Sequence, residues 1–361
     1  MRKHNFTAGP AALPLPVLEQ IKNDLPEWQN AGASVMEISH RGAAFADVLE
    51  KTENDLRELL GITDDYAVLF LQGGALLQFS VVPMNLAFDR AADFVVTGAW
   101  SQKAFVAAKK INPKMRIAAT TENSGFTTLP EAQEIALNPH AAYLHLCTNE
   151  TIHGVEIAPE RIAAVSVPIV ADMSSHILSR PVDVSKFGVI FAGAQKNIGP
   201  SGLTIVIIRK DLMGLAPLTT PNLLDYAQLF ENQSMINTPP TFAIYVAGLV
   251  FEWLKSQGGV AEIEKINIQK AEKLYRVIDE SGGFYENRVE KSCRSRMNIP
   301  FFLKDEKLND QFLKESLEAD CIGLKGHKSV GGFRASLYNA VTLESVGVLC
   351  DFMADFLKRN C

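Results

Sequence analysis

The residues of this sequence that could do chemistry together lie just after three apolar runs. Lys196 follows FGVIFAGAQ, Asp172 follows VPIVA, and the pair Gly73 and Gly74 follows AVLFLQ. In an open α/β sheet, ligands bind beyond the carboxyl ends of the strands. If these runs are strands of one sheet, an amine, a carboxylate and a glycine turn can face the same ligand.

Lys196 taken alone allows three interpretations: a phosphate loop, a Schiff-base lysine or a solvated surface turn. A nucleotide P-loop ends in Gly-Lys-Ser/Thr. Here the lysine precedes Gly199 and Gly202, so the order of the residues excludes a P-loop. An amine with the ordinary pKa of about 10.4 is a poor nucleophile, and desolvation or a neighbouring cation activates it. The Schiff-base and surface-turn interpretations stay open at this point.

Asp172 and the glycine pair also have plain structural interpretations. Asp172 precedes the sequence MSS and could simply cap a helix. If it is buried instead, it needs a cation or hydrogen bonds to stay ionised. Gly73 and Gly74 could form an ordinary strand-to-helix turn, or they could leave backbone N–H groups free to hold an anion. Pyridoxal phosphate is a cofactor that needs a lysine, an acid and an anion site, because its protonated ring acts as an electron sink.

The elements that must position these residues predict an α/β fold. Runs as apolar as these are typical of strands in a parallel sheet that helices cover on both faces. Helix-like segments alternate with them in a β-α-β rhythm. The predicted strands are residues 67–71, 93–97, 141–146, 167–173, 187–193 and 202–208, and helices are predicted from residues 45, 101 and 129.

A second, smaller α+β domain is predicted in the carboxyl-terminal part of the chain. After Thr241 the pattern changes to two long helical segments, followed by short strands at 297–303 and 331–338. The chain has 361 residues, whereas single cores stop growing at about 250–300 residues. We predict a large domain over residues 16–257 and a small domain formed by residues 1–15 and 258–361.

The composition argues against several classes of function. The chain is 47% hydrophobic and has a formal net charge of -6, whereas nucleic-acid binders depend on clustered Lys and Arg. No run approaches the roughly 20 apolar residues of a membrane span, and the amino terminus has no signal-peptide pattern. The 5 cysteines form no CxxC pair and the histidines show no metal-ligand spacing. We expect a cytoplasmic protein that binds neither nucleic acid, membrane nor metal.

The sequence resembles the phosphoserine aminotransferases, a family of class V pyridoxal-phosphate enzymes, nearly from end to end. The resemblance rests on motifs that occur in the order of the family: FTAGPAALP, ISHRG, QGGALLQF, TGAWSQKA, NETIHG, ADMSS, GAQKNIGPSG, NTPPT and GHKSVGGFRASLYNA. It implies fold type I of the pyridoxal-phosphate-dependent transferases and a homodimer with shared active sites. Two positions depart from the pattern, because Lys328 stands where many members have Arg and Leu76 where some have Arg.

The resemblance also implies roles for individual residues. Lys196 would be the Schiff-base lysine and the general acid and base, Asp172 would pair with the ring nitrogen, and Trp100 would stack on the ring. The other implied cofactor contacts are Ala75, Leu76, Thr151 and Gln195, together with Asn237 and Thr238 reaching the phosphate from the partner subunit. The implied substrate ligands are His40, Arg41, His327, Lys328 and Arg334.

The activity that the resemblance implies is reversible transamination in L-serine biosynthesis. An amino group would pass between L-glutamate and 3-phosphonooxypyruvate, giving O-phospho-L-serine and 2-oxoglutarate. Formation of 4-phosphohydroxy-L-threonine in pyridoxine biosynthesis is expected as well. Two rival hypotheses are a cysteine desulfurase, which would need a mobile nucleophilic cysteine such as Cys321, and a module that binds the cofactor or a phosphorylated metabolite without catalysis.

Overall fold

A computed structural model of the chain describes residues 2–162 and 165–361. The strands are β1 (His4–Asn5), β2 (Tyr66–Leu71), β3 (Asp93–Val96), β4 (Arg116–Thr120), β5 (Leu144–Cys147), β6 (Asn149–Glu150), β7 (Val155–Glu156), β8 (Ile169–Asp172), β9 (Val189–Gly193), β10 (Thr204–Arg209), β11 (Tyr285–Glu286), β12 (Asn298–Leu303), β13 (Cys321–Ile322) and β14 (Phe333–Ser336). The α-helices are α1 (Leu15–Asp24), α2 (Ala43–Leu60), α3 (Gly74–Leu86), α4 (Ala99–Ile111), α5 (Tyr226–Glu231), α6 (Thr241–Ser256), α7 (Gly259–Asp279), α8 (Asn309–Glu318) and α9 (Leu343–Asn360). None of the helices in these two ranges has the length and apolar character needed to cross a membrane.

The central element is a 7-stranded sheet with the strand order β2-β10-β9-β8-β5-β3-β4. The strands β4, β3, β5, β8 and β9 are parallel, while β10 is antiparallel to both β9 and β2. Every residue of β2, β3, β5, β8 and β9 is buried. The predicted α/β fold with a mainly parallel sheet is confirmed, and burial on both faces explains the nearly continuous apolar runs.

The sheet brings the predicted chemical residues to one edge. Strands β8 and β9 are parallel neighbours, so Asp172 ends one strand while Lys196 follows the end of the next. At the same edge, β2 passes into α3 through Gly73 and Gly74, with φ angles of 91° and 68°. These left-handed conformations favour glycine. A Cβ atom at Gly73 would also lie 2.4 Å from the side chain of Leu77.

A separate apolar core surrounds the 3-stranded sheet β11-β12-β14. Helices α7, α8 and α9 pack on it, and Phe6 joins it because β1 pairs with β13. Helix α7 is shared, since Ile263 belongs to the core of the large sheet while Leu274 belongs to the second core. The domain limits, residues 16–257 against 1–15 and 258–361, stay a prediction.

Three elements differ from the predictions. The helix predicted from residue 129 is wrong: only a single 3₁₀ turn forms at Ala132–Glu134. The backbone N–H of Ala136 bonds to the Ala118 carbonyl of β4 instead, and the Pro at position 139 disfavours a helix before it. The strand predicted at 141–146 begins only at Leu144. Strand β4 was missed because its sequence, RIAAT, belongs to a partly exposed edge strand.

The second core provides a test of packing. Phe312 is fully buried, and the rings of Phe301, Phe333, Phe352 and Phe356 all have centroids within 5.8 Å of its own. We expect Phe312→Ala to lower the free energy of unfolding by about 3–5 kcal/mol, because the substitution leaves a cavity that the neighbours cannot fill.

The matched control for this variant is Leu317→Ala, which lies on the same helix with a side chain that is 51% exposed. Its effect should stay below about 0.5 kcal/mol, as for most surface substitutions. Denaturant unfolding measures both variants. Equal losses of stability would contradict the assignment of Phe312 to a packed core.

Candidate active site

A cavity of about 150 Å³ opens at the carboxyl edge of the central sheet. It is lined by Gly73, Gly74, Ala75, Leu76, Trp100, Cys147, Asn149, Thr151, Asp172, Ser174, Ser175, Gln195 and Lys196. The set contains every cofactor ligand that the sequence predicts within a single subunit. The cavity is therefore the candidate active site.

Lys196 presents its amine inside this cavity. Its Nζ atom donates a hydrogen bond of 2.7 Å to Thr151 Oγ1 and lies 5.9 Å from the centroid of the Trp100 ring. Burial lowers the pKa of Lys196, and the negative charge of Asp172 acts in the opposite direction. A lowered pKa leaves more of the amine neutral near pH 7, and the neutral amine is the nucleophile. This environment favours the Schiff-base interpretation over a solvated turn.

Asp172 is held by a local turn rather than at the start of a helix. Its Oδ1 atom accepts hydrogen bonds from the backbone N (2.9 Å) and the hydroxyl (2.6 Å) of Ser174. The same hydroxyl accepts from the N–H of Gly193 on β9, at 3.0 Å. Burial raises the pKa of Asp172, and the bonds from Ser174 and the charge of Lys196 oppose that shift. Within the described residues, Oδ2 accepts no hydrogen bond.

The start of α3 offers backbone donors to an anion. The residue that precedes the helix is Gly73, so no side chain caps the first turn. The N–H groups of the first turn of a helix lack partners within the helix and carry its positive dipole end. Leu76 is 58% exposed, so its side chain does not cover these donors. An anion at this turn would be bound by backbone N–H groups.

These groups fit pyridoxal phosphate, the cofactor predicted from the sequence. The observation that tests the fit is the free Oδ2 of Asp172, a carboxylate only 5% exposed that lines the same cavity as Lys196. A protonated ring nitrogen would supply the missing partner. The Trp100 ring lines the cavity as a flat surface, and the start of α3 provides the donors for the phosphate.

One predicted substrate ligand, Arg334, contacts a residue that lines the cavity. Arg334, on β14, donates from Nη1 to the carbonyl of Thr151 at 3.4 Å, and its buried Nε has no partner in the described residues. Burial lowers the pKa of His327, and the charges of Arg334, Lys103 and Lys328 lower it further. Several basic groups therefore act on His327, although neither His327 nor Lys328 lines the cavity.

The remaining predicted ligands are not brought into the cavity of their own chain. Neither His40 nor Arg41 lines it, and Arg41 is exposed. Asn237 is exposed and lines a neighbouring cavity, and the carbonyl of Thr238 accepts a 2.9 Å hydrogen bond from Gln72. The predicted roles of these four ligands stay predictions.

The sequence analysis missed residues that support the site. Glu150, on β6, is fully buried and accepts hydrogen bonds from the backbone N of Trp100 and of Ser101. Nδ1 of His153 accepts from the backbone N of Ala99, at 3.3 Å. The sequence feature that could have revealed Glu150 is an acidic residue in a segment, residues 141–158, that contains neither Lys nor Arg.

Neither Cys321, the residue named for a desulfurase, nor Cys147, which lines the cavity, is suited to be the nucleophile. Cys321 lies on β13 with no exposure, and burial raises the pKa of its thiol to about 11. Cys147 lines the cavity but is buried, and burial raises its pKa well above the ordinary value. A thiol with a raised pKa is mostly protonated near pH 7 and is a poor nucleophile.

The comparison with known proteins agrees with this geometry. The family model described as aminotransferase class-V matches residues 4–349. The phosphoserine aminotransferase of Aromatoleum aromaticum is 56% identical, with 99% of each chain covered. The solved phosphoserine aminotransferase of Bacillus circulans subsp. alkalophilus superposes with a TM-score of 0.97 at 46% identity, covering 100% of this chain and 99% of that one.

A solved structure described as PLP-bound phosphoserine aminotransferase from Trichomonas vaginalis is also similar. It superposes with a TM-score of 0.93 at 40% identity, covering 98% of this chain and 100% of that one. These matches extend over the central sheet, the sheet of the second core and all the motifs that line the cavity. The chain belongs to the class-V aminotransferases and, within them, to the phosphoserine aminotransferases.

Proposed function

We propose that this protein transfers an amino group between L-glutamate and 3-phosphonooxypyruvate, forming O-phospho-L-serine and 2-oxoglutarate. As a member of its family it is a pyridoxal-phosphate-dependent aminotransferase. The observation that carries the proposal is the meeting of Lys196 and Asp172 in one cavity at the ends of neighbouring parallel strands. When bound, the cofactor supplies the electron sink that stabilises negative charge at the substrate α-carbon.

The chain would hold the cofactor through its predicted ligands. Lys196 would bond to it covalently, and Oδ2 of Asp172 would pair with its ring nitrogen. Ser174 fixes the Asp172 carboxylate, so that the free oxygen keeps one orientation. Trp100 would cover one ring face and Thr151 would lie at the phenolic oxygen. The phosphate would be bound by Ala75, Leu76 and Gln195, and by Asn237 and Thr238 of a partner subunit.

Lys196 would also transfer protons. Its neutral amine takes the proton from the α-carbon of glutamate and later delivers a proton to the α-carbon of the product. Burial lowers the pKa of Lys196, which keeps the amine ready to accept that proton. The Thr151 hydroxyl, 2.7 Å from Nζ, holds the amine through a hydrogen bond.

The predicted basic substrate ligands would bind the acid groups of the substrate. Arg334 is suited to the carboxylate, because a guanidinium makes two parallel hydrogen bonds and this one has a buried Nε without a partner in the described residues. His327 and Lys328 would bind the phosphate, with His40 and Arg41 supplied by the partner. Lys328 acts there as a point charge. The phosphorylated four-carbon keto acid would use the same ligands.

The active site is proposed to be shared within a homodimer. Apolar side chains are exposed near the predicted partner contacts: Met36 (58%) precedes His40 in the chain, and Leu77 (37%) and Leu223 (48%) lie near Asn237. Leu77 and Leu223 line one cavity with Asn237. Contiguous exposed apolar surface is typical of an interface between proteins.

A cytoplasmic location is proposed as well, on the basis of the cysteines. All five are free thiols in the structure: Cys147, Cys293, Cys321, Cys350 and Cys361. Thiols persist in reducing compartments, whereas exported proteins more often form disulfides.

The proposed function is tested by assaying the purified protein with glutamate and 3-phosphonooxypyruvate. We expect O-phospho-L-serine to form, and Lys196→Ala to lower kcat by at least about 10³-fold because the proton-transfer amine is lost. Lys186→Ala, a lysine on a surface turn, serves as the control and should leave kcat unchanged. A Lys196→Ala variant with the activity of the wild type would refute the assignment, and release of sulfide from cysteine would indicate a desulfurase.

Arg334 is tested by its effect on substrate affinity. We expect Arg334→Ala to raise the KM for O-phospho-L-serine on the order of tenfold to a hundredfold, since charge-assisted hydrogen bonds are lost. The dissociation constant of the cofactor should change much less. Arg288→Ala, an exposed arginine of the same part of the chain, is the control. Unchanged kinetics with O-phospho-L-serine would disprove the role.

Sharing of the active site is tested by mixing two inactive variants. In a heterodimer of Lys196→Ala and Arg41→Ala chains, one site would combine the intact Lys196 of one chain with the intact Arg41 of the other. Random exchange of subunits should therefore restore about a quarter of the wild-type activity. The measurement is the activity after unfolding and refolding the mixture, with each variant refolded alone as the control. If mixing restores nothing, each chain uses its own Arg41 and the shared site is wrong.

A further inference from the structure

The amino terminus of α4 is capped by a residue from a different part of the chain. The position before the helix is Gly98, which has no side chain to accept hydrogen bonds from the first turn. Glu150, on β6, accepts instead: Oε2 from the backbone N of Trp100 at 2.9 Å, and Oε1 from the backbone N of Ser101 at 2.8 Å. The Ser101 hydroxyl also donates to Oε1, at 2.6 Å.

The carboxylate of Glu150 fills the space next to Gly98. A Cβ atom at position 98 would lie 2.4 Å from Cδ of Glu150, so any residue larger than Gly98 would displace the carboxylate. His153 accepts the neighbouring N–H of the same turn, from Ala99 at 3.3 Å. Two residues of the NETIHG motif thus bind three successive N–H groups at the start of α4.

The charge of Glu150 is compensated by the helix rather than by a cation. The residue has no exposure to solvent, and no Lys or Arg of the described ranges lies within salt-bridge distance of it. Burial raises its pKa, and the hydrogen bonds from Ser101 and Trp100 oppose that shift. The positive end of the α4 dipole stabilises the carboxylate. Separating the two would leave a buried carboxylate and buried N–H donors unpaired, so β6 and α4 are held together.

We propose that Glu150 is a positioning residue of the active site, which fixes the start of α4, and with it the Trp100 ring, against the segment that carries Thr151. Glu150 itself does not line the cavity, whereas Trp100 and Thr151 do. Thr151 is bonded to the Lys196 amine, which lies 5.9 Å from the centroid of the Trp100 ring. A displacement of α4 would therefore change the relation between the ring and the amine.

This inference deepens the proposed function and rests on it, because it concerns the same cofactor site. The variant that tests it is Glu150→Gln, which keeps the size of the side chain but puts an amide against N–H donors. We expect the dissociation constant of pyridoxal phosphate, measured by equilibrium dialysis, to rise about tenfold and kcat to fall about tenfold. The KM for glutamate should change by less than about twofold, because Glu150 does not contact the substrate.

A second measurement, the fluorescence of Trp100, needs neither bound cofactor nor catalytic turnover. The chain has 3 tryptophans, so a Trp28→Phe, Trp253→Phe background leaves Trp100 as the emitting residue. In the cofactor-free protein of this background, we expect Glu150→Gln to shift the Trp100 emission maximum to longer wavelength, because a loosened α4 exposes the indole to water. In the holoenzyme, the visible circular dichroism of the cofactor should decrease for the same reason.

The matched control is Glu156→Gln, on the adjacent strand β7. Glu156 is also buried, but it pairs with Arg180 at 2.8 Å and accepts from the backbone N of Arg296, with no contact to α4. This variant should lose stability while the cofactor dissociation constant and the Trp100 emission stay as in the wild type. A purely structural role for Glu150 would make the two variants behave alike, which would overturn the proposal.

A second variant keeps the test decisive if Glu150→Gln does not fold. Ser101→Ala removes one donor to the carboxylate, together with the hydroxyl that accepts from the backbone N of Thr97 and of Gly98. It should raise the cofactor dissociation constant about threefold, in the same direction. Unchanged affinity and emission in the folded Glu150 or Ser101 variants would overturn the inference alone. A wild-type protein that does not bind pyridoxal phosphate would overturn the proposed function together with it.

Discussion

The rest of the site depends on how the Lys196 amine is buried next to negative charge without being paired with it. Desolvation lowers the pKa of the amine most strongly and the charge of Arg334 lowers it further, whereas Asp172 and Glu150 both raise it. A direct salt bridge would cancel the effect of desolvation and hold the amine as an ammonium. The structure avoids such a bridge, because Asp172 is bound by Ser174 and Glu150 by the start of α4. The direct partner of the amine is the hydroxyl of Thr151.

The same amine is connected to the second core through buried amides. Asn197, the neighbour of Lys196 in the chain, accepts from the backbone N of Asn339 at 2.9 Å, and Asn339 accepts from Asn267 of α7 at 2.9 Å. Lys270, one turn further along α7, has no exposure and donates to three carbonyls of the segment 337–341. These bonds fix the segment that directly follows β14. Arg334 lies on β14, so α7 holds the segment that follows the strand carrying this guanidinium.

The sequence predicted the features that depend on local pattern or on strand ends. The buried strands β2, β3, β8, β9 and β10 were predicted because each is apolar on both faces, and Lys196 and Asp172 because a sheet brings its strand ends together. Strand β4 could not be predicted because it is a partly exposed edge strand that forms by pairing with β3. The segment after 129 could not be predicted because it is held by a long-range backbone bond from Ala136 to Ala118. The role of Glu150 could not be predicted either, because its hydrogen-bond partners, the backbone N–H groups of Trp100 and Ser101, lie 50 and 49 positions away in the chain.

The two departures from the family pattern have different physical consequences. At position 76, Leu stands where some family members have Arg, so no guanidinium is present. The anion would then be bound by the backbone N–H groups at the start of α3, whose direction is fixed by the helix. At position 328, a lysine offers charge without the planar fork of arginine. The charges of Lys103, Lys328 and Arg334 all act on His327, so the positive potential around His327 comes from several groups. Under the proposed function, orientation of the substrate then depends mainly on Arg334, while the phosphate is held by charge that tolerates variation in its position.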